Sequence, residues 1–330
     1  MLTLAIMAGW VGHIIDVKGA FLHGEFENGE VIYTKIPEGF EKFWDPKEWV
    51  WLLQKTSYGL IQAAVQFWKT LLKAMNYMNY ERSKADPCLY HNYNEKDGLS
   101  VWLSWVDDCC ILGEEKVVLK SKEKLKQLFD CDDVGELTEY VGCKLDWNRE
   151  KGTIKFTQPV LIQSFEDEFE LPNTKFKMPS EPGKVLEKCE DGQEISDEKQ
   201  SKYRSAVGKI LHMMRWSRPE RWNAVRECSR RMSKASEDHV KAVLRILKYC
   251  NDTKTRGWEL KPSRKWDGKD RSFKFKIKGK SDSNYATCKE TRRSVTGYIV
   301  WLEDALIAVK SGMQKIVVLS VTEAEVIALV

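Results

Sequence analysis

Residues 101–112 read VWLSWVDDCCIL, two apolar runs interrupted only by Asp107-Asp108. Strand-forming residues on both sides of a short polar step predict a β-hairpin with the acidic pair at its turn. Adjacent carboxylates repel one another unless water or a cation offsets them. Alone, such a dipeptide is an ordinary solvated turn, because Asp is a favoured turn former. Asp16 changes the weight of that reading, since it closes another apolar run, Ile14-Ile15. If the two strands are neighbours in one sheet, three carboxylates converge at one edge, and oxygen-bound divalent cations are the usual way to hold such a cluster. Two metal ions so held activate a hydroxyl nucleophile and stabilise a departing phosphate, the chemistry of polymerases and some nucleases.

Outward from these acids, element types alternate as in an α/β or α+β domain. Leu2–Ala8 reads as a buried helix followed by a turn and a short buried strand ending at Asp16. Gln62–Tyr77 has helical periodicity with Phe67, Leu71, Leu72 and Met75 on one face, Lys120–Phe129 returns to helix, and Tyr140–Trp147 reads as strand. At 330 residues the chain has room for about two domains. The stretch 178–200 loses apolar periodicity and holds seven acids against three lysines, which marks a linker. Lys202–Lys248 reads as consecutive helices with thirteen basic against four acidic residues. Arg264–Lys280 adds eight basic residues, and its Phe273–Lys278 alternation predicts a half-buried strand with a basic outer face.

The whole-chain charge is only +4, so nucleic-acid binding has to be argued from where the charge sits. Apolar residues at 42% and charged residues at 31% exclude a disordered or fibrous chain. Nine cysteines without a C-x-x-C spacing point to a reducing compartment and no structural zinc. The uncharged start, residues 1–15, has no basic flank or cleavage site and is broken by Gly9, Gly12 and His13. It is therefore neither signal peptide nor membrane span.

Four ordered motifs then become specific: Asp16-Val17-Lys18-Gly19-Ala20-Phe21-Leu22-His23-Gly24, Ile36-Pro37-Glu38-Gly39-Phe40, Ser57-Tyr58-Gly59-Leu60-Ile61-Gln62-Ala63, and Trp105-Val106-Asp107-Asp108. In order and spacing they resemble the reverse transcriptase of copia-type long-terminal-repeat retrotransposons. The similarity continues through Tyr140-Val141-Gly142, Tyr203–Gly208, Ser217-Arg218-Pro219 and Arg292–Tyr298 to Ser320–Glu325. It covers essentially the whole chain.

The resemblance implies an α+β polymerase palm of mixed sheet and helices, then part of a thumb, a helical connection and the start of a ribonuclease H-like α/β segment. By position the palm and start of thumb occupy 1–180, the acidic linker 181–200, the basic helical connection 201–262 and the ribonuclease H-like part 263–330. Asp16 resembles the first metal-binding aspartate, and Asp107 and Asp108 the catalytic pair, with magnesium, or manganese as its substitute. Phe21 resembles the aromatic gate that excludes a ribose 2′-hydroxyl. Tyr58, Gly59 and Gln62 match the segment against the nascent base pair, and Tyr140, Val141 and Gly142 the primer grip. Asp282 resembles the first ribonuclease H carboxylate. Glu325 resembles the second, one turn into a helix whose start Ser320-x-x-Glu323 marks as a capping box.

The implied activity is RNA-directed DNA synthesis, with an RNA template, a DNA primer-template duplex and dNTPs as partners. The rest of a polyprotein, or a second copy, would complete it, in a cytoplasmic retrotransposon particle. Trp105, Ile61 and Ala64 depart from the family's usual Tyr, Lys and Pro, and Ile61 thereby removes a charge near the template strand. The fingers segment expected before Asp16 is not in these residues, nor are the later ribonuclease H acids. Two competing readings are a truncated, inactive or repurposed nucleic-acid-binding remnant, and an unrelated two-metal nuclease. The second leaves the residues around Phe21 and Gly59 unexplained.

Overall fold

Alternation along Val11–Val17 sends Ile15 and Val17 to one side of a strand and Ile14 and Asp16 to the other, and the rest of the first sheet assembles on that division. The computed structural model describes residues 1–27 and 29–330. It divides into two compact units, Met1–Leu137 with Trp266–Arg271, and Thr138–Lys265 with Ser272–Val330. The architecture is α+β, with helices and several mainly antiparallel sheets.

The first unit contains α1 (Leu2–Ala8), β1 (Val11–Val17), β2 (Tyr33–Thr34), β3 (Trp51–Leu52), α2 (Ala63–Tyr77) and β4 (Glu81–Arg82). It continues with β5 (Leu89–Asn94), β6 (Gly98–Trp105), β7 (Asp108–Gly113), α3 (Glu115–Leu128) and β8 (Cys131–Glu136). Six strands form one sheet in the order β4-β5-β6-β7-β1-β8. Phe67, Leu71, Ala74 and Met75 of α2, with Val118 and Leu125 of α3, cover the sheet face that carries Ile15, Val17, Trp102 and Ile111. At roughly 1.5–3 kcal/mol per fully buried large apolar side chain, this layer is the main stabilising term of the unit. Residues 266–271 complete the unit from far along the chain. Trp266 N–H donates to the Met7 carbonyl, its ring lies 5.7 Å from that of Trp10, and Leu99 N–H donates to the Gly268 carbonyl. Gly268 has φ +76°, and a Cβ there would stand 2.7 Å from Trp10 Nε1, so only glycine fits.

The second unit contains β9 (Glu139–Tyr140), β10 (Cys143–Asn148), β11 (Thr153–Thr157), α4 (Pro159–Glu168), α5 (Asp197–Trp216) and α6 (Trp222–Ser229). It ends with α7 (Glu237–Asp252), β12 (Trp258–Leu260), β13 (Ile277–Asn284), β14 (Val295–Leu302), β15 (Ala305–Met313) and α8 (Val321–Leu329). Its sheets run β12-β11-β10-β9 and β13-β14-β15. Helices α4 to α7 share a core of residues such as Phe165, Val207, Ile210, Val225, Ile246 and Leu247.

Two local expectations differ from what forms. Tyr140–Trp147 is not one strand; it turns at Val141-Gly142, where both residues have positive φ (49° and 71°), and becomes the β9–β10 hairpin. Strand β13 starts only at Ile277, because its partner β14 ends opposite that residue at Leu302. Phe273 and Phe275, left without a ladder, stack edge-on 4.8 Å apart instead. All nine cysteines are free thiols, and no helix among the described residues is long and apolar enough to cross a membrane.

Helix α3 is also fastened by charge. Lys122, with its side chain 4% exposed, donates to His13 Nδ1 on β1 at 2.9 Å and pairs with Asp133 on β8 at 2.5 Å; Lys126 also pairs with Asp133. Burial pushes the Asp133 carboxyl up, but the bonds from Lys122 and Lys126 outweigh it and hold it at about 2. A depressed carboxyl stabilises the fold above the unfolded value, about 3.9, and that stability is lost as pH falls toward 2. Asp133→Asn, which leaves Lys122 buried and unpaired, is expected to cost about 2 kcal/mol at neutral pH, below the roughly 3–5 of fully buried pairs because Asp133 is partly exposed. Urea unfolding at several pH values should show the gap between wild type and variant closing between about pH 4 and 2.

Candidate active site and nucleic-acid interface

Asp16 and Asp108 are register partners on adjacent antiparallel strands, so their side chains share a face. Their chain neighbours Ile15 and Cys109 belong to the core under α2 and α3, which leaves the two carboxylates on the opposite face of the sheet. Asp107 sits at the tip between β6 and β7, in a two-residue turn closed by the pair Trp105 and Asp108. The turn is pinned to β1 by a hydrogen bond from Val17 N–H to the Asp107 carbonyl at 3.1 Å. Its other tip residue, Val106, has φ +59°, a left-handed backbone that is strained for a β-branched residue.

A third carboxylate lies in the same row. Asp132 of β8 pairs with Asp16 on the side away from Asp108, beyond a bulge that leaves Val134 as an extra residue. Lys18 bridges Asp132 at 2.8 Å and Asp130 at 3.6 Å. Sequence reasoning missed Asp132 and its lysine; the signal was the Asp130-x-Asp132 alternation entering a strand. Burial raises the pKa of Asp16, with further pushes from the charges of Asp107 and Asp132, while Lys18 pulls the other way. Burial likewise raises Asp108, aided by Asp107 and Asp16. The donors are hard carboxylate oxygens whose mutual repulsion a divalent cation would relieve, so in kind they fit magnesium. As arranged, no three acidic, histidine or cysteine side chains among the described residues stand close enough together to enclose a metal ion.

The structure also joins Phe21 to the segment before α2. Phe21 lies in a 3-10 turn, Ala20–Leu22, just after β1; its carbonyl accepts from Thr56 Oγ1 and its ring meets that of Tyr58 edge-on at 5.1 Å. Gly59 has φ +92° with open space where a Cβ would stand. Gln62 is half-buried and donates to Glu30 at 2.9 Å. In the second unit, Tyr140, Val141 and Gly142 form the tip of the β9–β10 hairpin. Glu325 meets β13 at Ser283, the chain neighbour of Asp282. Glu325 accepts from the Ser283 hydroxyl at 2.7 Å, whereas Asp282, one residue earlier on β13, faces a cleft of about 660 Å³ lined also by Asn284, Gly297 and Ser311. Ser320 Oγ caps α8 by accepting from Glu323 N–H, while the Glu323 carboxylate accepts from Leu319 N–H, one residue before the N-cap, instead of from Ser320 as a full capping box would.

The basic helices are mostly charge-paired. Of the thirteen basic side chains in 202–248, eleven pair with carboxylates. Several of those acids come from the 181–200 stretch, including Glu181 on Arg245 and both Asp191 and Glu194 on Lys234. A linear count of +9 in this stretch therefore overstates the field that a polyanion would meet.

A family model described as reverse transcriptase (RNA-dependent DNA polymerase) matches residues 1–181, which span the carboxylate row, the Phe21–Tyr58 contact and the β9–β10 hairpin. The chain belongs to the reverse transcriptase family. It is 32% identical over 319 residues to the retrovirus-related Pol polyprotein from transposon TNT 1-94 of Nicotiana tabacum, and 29% identical over 328 residues to that from transposon RE1 of Arabidopsis thaliana. These alignments cover 95% and 98% of this chain but only 23% and 21% of the relatives, so the chain spans about a fifth of their length. A secreted RxLR effector protein of Plasmopara viticola is 35% identical over 127 residues, 38% of this chain and 83% of the effector.

At the hairpin tip, Val106→Gly should relieve the left-handed backbone and stabilise the first unit by about 1 kcal/mol. Chemical denaturation of the two proteins checks this. An unchanged or lowered midpoint would mean that the turn carries no net strain.

Proposed function

We propose that the chain is the polymerase portion of a retrotransposon Pol polyprotein and carries out RNA-directed DNA synthesis. The observation that carries this is the row of Asp16 and Asp108, with Asp107 on a pinned hairpin tip, inside the region that matches the reverse transcriptase family. In this reading the first unit is the palm, residues from the β9–β10 hairpin onward begin the thumb and helical connection, and 263–330 begin a ribonuclease H-like segment.

The primer 3′-hydroxyl attacks the α-phosphate of a template-paired dNTP, a new ester P–O bond forms, and the bond to pyrophosphate breaks. Magnesium, with manganese as a substitute, supplies Lewis-acid activation of the hydroxyl and neutralises charge on the leaving group when bound. Asp16 and Asp107 would hold it, and Asp108 would tune the local potential through the ladder. Their crowding favours a bound cation over three free charges. The Phe21 ring, braced by Tyr58, closes the space beside the sugar and selects dNTPs over rNTPs, while Gly59 admits close approach of the nascent pair. Tyr140, Val141 and Gly142 hold the primer end. Template choice comes from base pairing, so the protein supplies shape and backbone contacts. No nuclease step is assigned to Asp282 and Glu325.

Two variants test this reading in a polyprotein segment competent for primer extension. Asp107→Asn should abolish magnesium-dependent extension of a DNA primer on an RNA template while leaving the unfolding midpoint unchanged. Near-normal extension removes Asp107 from the chemistry. Phe21→Ala should raise the ratio of rNTP to dNTP incorporation by about tenfold or more, consistent with loss of a steric block. An unchanged ratio would reduce Phe21 to a packing role.

A further inference from the structure

Among the thirteen basic residues of 202–248, Arg215 stands apart. It is exposed and makes neither an ion pair nor a hydrogen bond with any described residue, whereas Arg204, the other without a carboxylate, donates to the Met232 carbonyl. One turn before it on α5 is His212, also exposed, and residues three apart on a helix are neighbours. Exposed histidines usually rotate freely; His212 is held. Ser217 Oγ donates to Gln158 Oε1 at 2.7 Å, and Gln158 Nε2 donates to His212 Nδ1 at 2.9 Å. Gln158 and Ser217 are 2% and 1% exposed, so a buried polar relay ends on a surface imidazole.

The relay sets the tautomer as well as the orientation. As the amide is placed, with its oxygen accepting from the serine hydroxyl, its NH2 faces the ring, Nδ1 is the acceptor, and the ring proton resides on Nε2, which has no partner among the described residues. The ring lies beside the β9–β10 hairpin: a Cβ placed on Gly142 would be 3.8 Å from His212 Cε1. One oriented N–H donor, one unpaired guanidinium and a tight hairpin tip therefore share a small surface. A neutral N–H donor next to a guanidinium suits a singly charged tetrahedral oxyanion.

We propose that His212 and Arg215 bind one phosphodiester of the nucleic-acid strand that the Tyr140–Gly142 hairpin holds, with Gln158 and Ser217 as positioning residues for the imidazole. This rests on the polymerase reading and narrows it. The phosphate contact of the helical segment is concentrated at the end of α5 rather than spread over its paired lysines and arginines. The partial negative charge at a helix C-terminus mildly opposes an anion there, and the Arg215 charge outweighs it.

The test is a salt series of binding between the purified chain and a fluorescent DNA–RNA duplex, from about 50 to 200 mM. Arg215→Ala is expected to weaken binding about 5- to 10-fold at the low end and to lower the slope of log affinity against log salt by about one. His212→Ala is expected to lose a similar factor with the slope little changed, because the lost donor is uncharged. Ser217→Ala should reproduce part of the His212→Ala loss and add nothing when combined with it, whereas a purely structural role would add independently. Since His212 and Arg215 are exposed, neither variant threatens folding. Wild-type affinity and slope retained in both single variants would overturn this site while leaving the polymerase reading in place. Absence of salt-dependent duplex binding by the wild-type chain would overturn both.

Discussion

Like charges placed directly opposite each other in an antiparallel ladder destabilise it, and the first unit is organised around holding one such pair. Asp16 and Asp108 cannot move apart without breaking the register that puts Ile15, Cys109 and Ile111 under α2 and α3. A slip of one residue would bury the carboxylates in that core and expose the apolar side chains. The apolar face therefore fixes the position of the charged face, and the cost of crowding is met by packing on the far side of the same strands. Lys18, bonded to Asp130 and Asp132, limits how much charge accumulates beyond Asp16.

Electrostatics in the second unit follows the opposite logic. Acids that look like a separate linker when read along the chain supply partners for Arg245 on α7 and for Lys234 in the turn before it, and Leu186 and Cys189 of the same stretch are buried. Each exposed pair contributes little stability, about 0–1 kcal/mol. Their larger effect is to remove cations from the surface, so that the exposed charges left over become distinctive.

Much of this was legible in the sequence because it depends on local periodicity. Leu2–Ala8, the two halves of the acidic hairpin and α2 form close to where alternation and helical spacing put them. The Ser320 half of the Ser320-x-x-Glu323 box also forms as its spacing predicts, with Glu323 turned to Leu319 instead of the N-cap. What could not be read locally was pairing between distant segments. Asp132 joins the carboxylate row only through a bulged ladder between β1 and β8, and Phe273–Lys276 has strand alternation but no partner strand.

Residues 266–271 lead to a different conclusion about modularity. Trp266 and Gly268 are integral to the first unit, yet the chain on both sides of them belongs to the second. The first unit is therefore discontinuous, and no single cut yields it whole. A recombination event that exchanged residues 1–137 as a cassette would have to find a compatible Trp266–Arg271 segment already present in the recipient. The first unit and the sequence downstream of it are thus coupled in folding, by a six-residue return rather than by any shared chemistry.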